Sequence, residues 1–223
     1  MTKKLFFEAI IKFLLGIVLV GALIFLPAGT LDFFGGWLFM GVLFIPMLLA
    51  GIVMMIKNPA LLARRLDAKE KQKEQGTLIK LSGLMFVVGF VLAGLDARFG
   101  WLPIPRGVQY GAAVLFLLSY AMWAEVLREN AYLSRTVKVE EGQKVVDTGL
   151  YGVVRHPMYT ATLVLFLSMP IVLGSIIALV PFLAYPFLIV SRIKNEERLL
   201  ECELRGYTEY KTRVKYRLIP FIW

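Results

Sequence analysis

The sequence predicts an all-α polytopic membrane protein: four spanning helices, a C-terminal membrane helical hairpin and a cytoplasmic C-terminal segment. Three observations predict it. Apolar residues fill 58% of the 223 positions and mean hydropathy is +0.71, more than an ordinary soluble domain carries. They are gathered into long runs of the length that crosses a bilayer. With the N-terminus inside, four spans and a returning hairpin, only Arg98 and Arg106 of the 25 Lys and Arg fall outside, the asymmetry that the positive-inside rule describes.

The first span is predicted over about residues 5–26, with Glu8 and Lys12 four apart at its cytoplasmic end, where they can pair. Its basic start and apolar run lack a small-residue cleavage site, so it reads as a retained helix rather than a signal peptide. Residues 33–56 form the second span, with Trp37 near one interface and Pro46 as a kink. The polar loop 57–76 holds an Asn58-Pro59 turn and a short surface helix over residues 60–66. Residues 77–95 make a third span, 96–106 an outer connection, and 107–127 the fourth span. β-like alternation over 134–142 ends in a Glu141-Gly142 turn. Two apolar arms follow, Pro157–Leu173 and Ser175–Ser191, broken by Gly174. Each is roughly 25 Å long as a helix, which suits a hairpin that enters and returns. The whole of 1–223 is one membrane-embedded domain, with 1–127 as the four spans and 128–223 as the polar segment, hairpin and tail.

Composition excludes several classes. One cysteine, Cys202, permits no internal disulfide, and with a single histidine, His156, no zinc site and no other metal is expected. The net charge of +9 sits beside apolar runs, so attraction to anionic membrane lipid is expected, and no nucleic acid.

The chain is organised around Asp147-Thr-Gly-Leu-Tyr-Gly-Val-Val-Arg-His-Pro-Met-Tyr159. His156 precedes proline and is biased towards extended backbone. Pro157 can open a helix, where its missing N–H costs nothing. That helix start points the amides of Met158 and Tyr159 at the polar segment, an arrangement that binds anions. At the far end of the hairpin Arg192 and Glu196 are spaced i, i+4, with Glu197 beside them. Hairpin closure should bring these near His156, Pro157 and Tyr159. An interfacial ion pair worth a few tenths of a kcal/mol is the plain structural reading. Ionisable groups at membrane depth are otherwise functional by default. An arginine positions a carboxylate or phosphate, and a glutamate accepts hydrogen bonds from hydroxyls or an amine.

These residues carry a resemblance. Gly149-x-Tyr151-x-x-x-Arg155-His156-Pro157-x-Tyr159, then Arg192-x-x-x-Glu196-Glu197, then Gly206-Tyr207-x-x-Tyr210-Lys-x-Arg213-Val resembles the isoprenylcysteine carboxyl methyltransferase family, to which phospholipid methyltransferases are related. The resemblance covers about the last ninety residues, and the first three spans match only as hydrophobic helices. It implies a membrane enzyme that uses S-adenosyl-L-methionine. It puts the cofactor on Gln143, Lys144, Val145, Val146, Tyr151, His156, Pro157, Met158, Tyr159 and Glu196, with Glu197 alongside. Substrate contact and catalysis fall on Arg192. One departure is Ala161, where the family often has glycine.

The implied acceptor is lipophilic, foremost the carboxylate of an isoprenylcysteine-like or prenylated substrate, with a phospholipid amine or a small thiol as alternatives. Transfer from a sulfonium to a carboxylate neutralises charge, so a water-poor site favours it, and the protein's main task is alignment. No Gly-x-Gly-x-x-Gly fingerprint follows a strand, so a Rossmann cofactor site is not expected. Two readings from other classes stay open. One is an NADPH-dependent membrane reductase of the sterol-reductase type, with Lys138, Lys144 or C-terminal arginines on a 2′-phosphate. The other is a non-catalytic membrane protein.

Overall fold

A computed structural model describes residues 3–66, 73–130, 132–133, 139 and 141–223. These are helical or irregular, with no strand among the described residues. The protein is a multi-pass, all-α membrane protein. Four helices are long and apolar enough to span a bilayer: α1 (Lys3–Ala28), α2 (Phe34–Lys57), α4 (Lys73–Phe99, apolar from Gly76) and α5 (Arg106–Glu129). They match the four predicted spans. Between α2 and α4, the short α3 (Pro59–Leu66) starts under an Asn58 cap, whose Oδ1 accepts the Leu61 amide at 3.0 Å. Leu61 and Leu62 are buried beneath it, and the Arg65 guanidinium sits 4.6 Å over the Trp123 ring of α5. Lys12 reaches both Glu8 (2.6 Å) and the Leu66 carbonyl (2.8 Å), tying the start of α1 to the end of α3.

The bundle closes around aromatic rings. Phe39 of α2 packs against Phe90 of α4 (5.4 Å) and Phe116 of α5 (6.0 Å), while Phe86 meets Phe166 and Phe182. Helices α1 and α4 touch where Gly94 sits: a Cβ there would lie 2.4 Å from the Ile24 carbonyl, so a larger residue would push the helices apart. The outward faces of α1 and α2 remain apolar, with Leu15, Val18 and Leu49 all more than half exposed, as lipid-facing surfaces are. At the far end from the termini, buried Asp96 accepts from the Ser175 hydroxyl (2.5 Å) and the Leu102 amide (3.0 Å), which anchors the hairpin turn to α4.

Helix α6 (Pro157–Leu173) begins at Pro157 and ends at Gly174, whose φ of 84° is left-handed, the usual helix stop. Both ends match the sequence reading. The second arm does not. It was expected as one stretch over Ser175–Ser191, but it bends through residues 175–178, makes the single turn α7 (Leu179–Phe182), and restarts as α8 (Tyr185–Glu203). Pro186 favours a restart there, since it stands in the first turn of α8. An unbroken helix would need its N–H for the Phe182 carbonyl, whereas in the first turn of α8 that N–H is not required. In compensation α8 runs to Glu203, so Arg192, Glu196 and Glu197 share one helix.

The β-like alternation read over 134–142 falls mostly outside the described residues, and Lys138 lies outside them too. Its closing turn is present, with Gly142 at φ 71°. After a 3₁₀ turn (Gly149–Gly152) the chain enters α6, and beyond α8 it forms α9 (Tyr207–Arg213) and a tail. The tail runs alongside the start of α6: the Arg155 amide donates to the Tyr216 carbonyl and the His156 amide to that of Arg217, each at 2.9 Å. Thr160 Oγ1 adds a bond to the Leu218 carbonyl at 2.8 Å.

Candidate functional site

Where the ends of α5, α6 and α8 meet the 143–151 segment and α9, they enclose a cleft with about 840 Å³ of empty space, counting the part open to solvent. Of the residues that the sequence singled out, Gln143, Lys144, Val145, Val146, Tyr151, His156, Met158, Tyr159, Arg192 and Glu196 line it. Pro157 and Glu197 do not.

The expected meeting of hairpin ends is present in specific contacts. The Tyr159 hydroxyl donates a short hydrogen bond to Glu196 Oε2 and accepts one from Arg192 Nε at 2.9 Å. Tyr159 can bridge them because α6 and α8 run side by side here, and i, i+4 spacing puts Arg192 and Glu196 on one face of α8. The His156 ring lies 5.7 Å from that of Tyr159 in a stacked arrangement, and its Nδ1 is 3.9 Å from Glu196 Oε1. A cation, a carboxylate and an aromatic hydroxyl thus converge on the cleft.

Glu197, one residue on and about 100° around the helix, is buried. Its Oε1 accepts from Arg155 Nε (2.8 Å) and lies 3.2 Å from His156 Nε2, while Oε2 accepts from Arg217 Nε (2.8 Å). Arg155 also donates to the carbonyls of Val214 (2.7 Å) and Lys215 (2.8 Å). Burial by itself would raise the Glu197 carboxyl, but the hydrogen bonds from His156, Arg155 and Arg217 outweigh it and hold the group well below the usual carboxylate range. This cluster fastens the tail to the motif that opens α6.

The rest of the wall was not singled out as a site. Asn130 lines the cleft from the end of α5, and its Nδ2 donates to the Tyr151 hydroxyl at 3.1 Å. Leu199, Leu200 and Leu204 supply an apolar side. Leu199 and Leu200 follow Glu196 at i+3 and i+4, a spacing that could have flagged them. Tyr207 and Tyr210 close it from α9, the latter donating to the Tyr151 carbonyl at 2.7 Å. Both stood in the sequence motif without a role attached.

Residues 112–202 match the model of the isoprenylcysteine carboxyl methyltransferase (ICMT) family. The resemblance carried by the motif is borne out over that segment, which starts within α5, contains α6, and ends one residue short of the end of α8. A Delta(14)-sterol reductase from Mus musculus is 32% identical over 91 residues, a match that covers 40% of this chain and 22% of the mouse protein. The matched stretch is thus about a fifth of that relative's length.

Proposed function

We propose that this protein is a membrane methyltransferase that binds S-adenosyl-L-methionine in the cleft and methylates a lipophilic acceptor, foremost the carboxylate of an isoprenylcysteine-like substrate. The observation that carries the reading is the Arg192–Tyr159–Glu196 contact, within a segment that matches the ICMT family.

The residues present fit such a cofactor. Glu196 can accept from ribose hydroxyls or an ammonium. Met158, in the first turn of α6, lines the cleft and offers helix-end electrostatics to a carboxylate, while the Tyr159 amide already donates to the His156 carbonyl. Val145, Val146 and Leu200 give an apolar surface against which a purine can lie. When bound, the cofactor supplies an electrophilic methyl on a sulfonium. Everything else falls to the chain. Arg192 orients an anionic acceptor through its planar fork, and Tyr159 fixes Arg192 relative to Glu196. The apolar wall excludes water, which favours a step in which opposite charges cancel. An ionised carboxylate needs no base, so alignment is the main contribution. With 23 of the 25 basic residues on that side by the positive-inside rule, the cleft and both termini face the cytoplasm, and 1–223 acts as one domain.

A second reading, NADPH-dependent reduction, is favoured by the similarity to the mouse sterol reductase. Lys144 would then meet the 2′-phosphate. The test is binding of S-adenosylhomocysteine and of NADPH to the purified full-length protein, followed by transfer of labelled methyl to a farnesylcysteine analogue. Saturable S-adenosylhomocysteine binding and labelled ester are expected. NADPH binding without S-adenosylhomocysteine binding would overturn the proposal in favour of the reductase.

A further inference from the structure

Five tyrosines line the cleft: Tyr132, Tyr151, Tyr159, Tyr207 and Tyr210. Four have a use for their hydroxyl. Tyr132 donates to the Gly142 carbonyl (3.3 Å), Tyr151 accepts from Asn130, Tyr159 joins Arg192 and Glu196, and Tyr210 donates to the Tyr151 carbonyl. The hydroxyl of Tyr207 is buried and has no hydrogen-bond partner among the described residues. The only other such atom there, Gln109 Oε1, belongs to a side chain that still donates through Nε2 to the Ile104 carbonyl. The Tyr207 side chain belongs to a residue only 4% exposed, so its hydroxyl has left water without replacement. Such groups are rare and each calls for an explanation.

Its surroundings say what would fit. Tyr207 packs in a small apolar cluster with Leu204, Tyr210 and Val214, flanked by Val145 and Leu200. Leu200, Leu204 and Val145 also line the cleft. This is an apolar wall of the site, and a flat heteroaromatic ring packs on such a wall better than a zwitterion or a sugar does. Burial, then the nearby Glu197 and Glu196 carboxylates, push the Tyr207 phenol far above its ordinary value. It therefore remains neutral and offers a donor. A purine offers ring nitrogens that accept.

We infer that Tyr207 is a base-reading residue, whose unpartnered hydroxyl donates to a ring nitrogen of the cofactor's adenine. This rests on the proposed use of S-adenosyl-L-methionine and adds a contact from α9, beyond the segment that matches the ICMT family. The unliganded protein carries an unsatisfied group, and the bound ligand satisfies it.

The test uses the full-length protein in lipid nanodiscs and compares Tyr207→Phe with Tyr210→Phe. Tyr210→Phe removes a made hydrogen bond and should lower the melting temperature of the unliganded protein. Tyr207→Phe should leave it unchanged or higher, because nothing bonded is lost. Calorimetry should show S-adenosylhomocysteine binding to Tyr207→Phe weakened about tenfold, the scale of one hydrogen bond. Across 1-deaza, 3-deaza and 7-deaza analogues, one should bind wild type and Tyr207→Phe equally, since it lacks the accepting nitrogen.

Equal S-adenosylhomocysteine affinity in wild type and Tyr207→Phe would overturn the inference. So would a melting temperature lowered as in Tyr210→Phe, or the same loss with all three analogues. A wild type that binds no S-adenosylhomocysteine is a different result, because it removes the proposed function and this inference with it.

Discussion

Glu196 and Glu197 are neighbours in sequence, and a helix turns them about 100° apart. That rotation gives them opposite environments. The Glu197 side chain is 4% exposed and receives Arg155, Arg217 and His156 across both oxygens. The Glu196 side chain is 25% exposed and receives Tyr159, with His156 Nδ1 more distant at 3.9 Å. One face of α8 is saturated and holds the tail in place. The other retains acceptor capacity beside a cleft. Chemistry needs the second condition, since a carboxylate whose lone pairs are filled by its own protein has little left for a ligand. The first condition supplies the rigidity, because the cluster fixes the start of α6 on which Tyr159 stands.

The largest effect that would break this contrast lies on the saturated face. Glu197→Ala leaves Arg155 buried without its counter-ion, and breaking a buried pair from one side costs about 3–5 kcal/mol. A large drop in melting temperature is expected, with α9 and the tail loosened in hydrogen exchange. The pH dependence follows with a definite sign. The folded carboxyl of Glu197 is depressed, so its contribution is fully present above its unfolded value of roughly 4.3. It is lost progressively as the pH falls below that towards the folded value. The wild-type melting temperature should therefore fall on acidification through this window, and that of Glu197→Gln should fall less. An unaltered melting temperature in Glu197→Ala, together with lost cofactor binding, would put Glu197 in the ligand site and erase the contrast.

On the open face, Arg192→Lys keeps the charge but replaces a planar fork with a point charge. Under the proposed function, cofactor affinity and melting temperature should hold while turnover falls by up to about 100-fold, the scale of a misplaced reactant. Steady-state methyl transfer alongside calorimetry separates the two. Near-normal turnover would reduce Arg192 to an interfacial cation.

How far the sequence could foresee this division depends on how local each feature is. The four spans were legible because continuous apolar runs of bilayer length have few alternatives. The start and stop of α6 were legible from Pro157 and Gly174, whose backbone constraints act at their own positions. The second arm was misjudged because hydropathy counts Pro181 and Pro186 as compatible with an apolar run, whereas Pro186 has no N–H to give the Phe182 carbonyl and favours a first-turn position. The side-chain bonds of Arg155 to Glu197 and to the Val214 and Lys215 carbonyls join positions 42 to 60 apart, and no periodicity reports them. Spacing brought Arg192 and Glu196 to His156 and Tyr159 correctly. It could not tell Glu196 from Glu197, because the difference is a rotation around α8 relative to a partner found only by folding. The unsatisfied hydroxyl of Tyr207 is a statement about missing neighbours, which no sequence pattern carries.

The smallest expected effect sharpens the contrast most, since it changes only the charge of the cleft-lining carboxylate. Glu196→Gln keeps the side chain's length and one acceptor oxygen, so the Tyr159 hydroxyl retains a partner and the fold should be undisturbed. What changes is the strength of the bond to a cofactor hydroxyl or ammonium, since charge-assisted hydrogen bonds are roughly twice as strong as neutral ones. With a typical net contribution of about 1 kcal/mol for a neutral bond, the expected loss is about fivefold to tenfold in cofactor affinity. Turnover at saturating cofactor should change less than it does in Arg192→Lys, because Arg192 keeps its place against Tyr159. The same substitution one residue later, Glu197→Gln, should show the reverse pattern, with melting temperature falling and cofactor affinity in the surviving folded protein held. Matching losses of affinity and stability in both variants would mean that the two carboxylates act as one structural cluster, and that the open face of α8 is not a separate site.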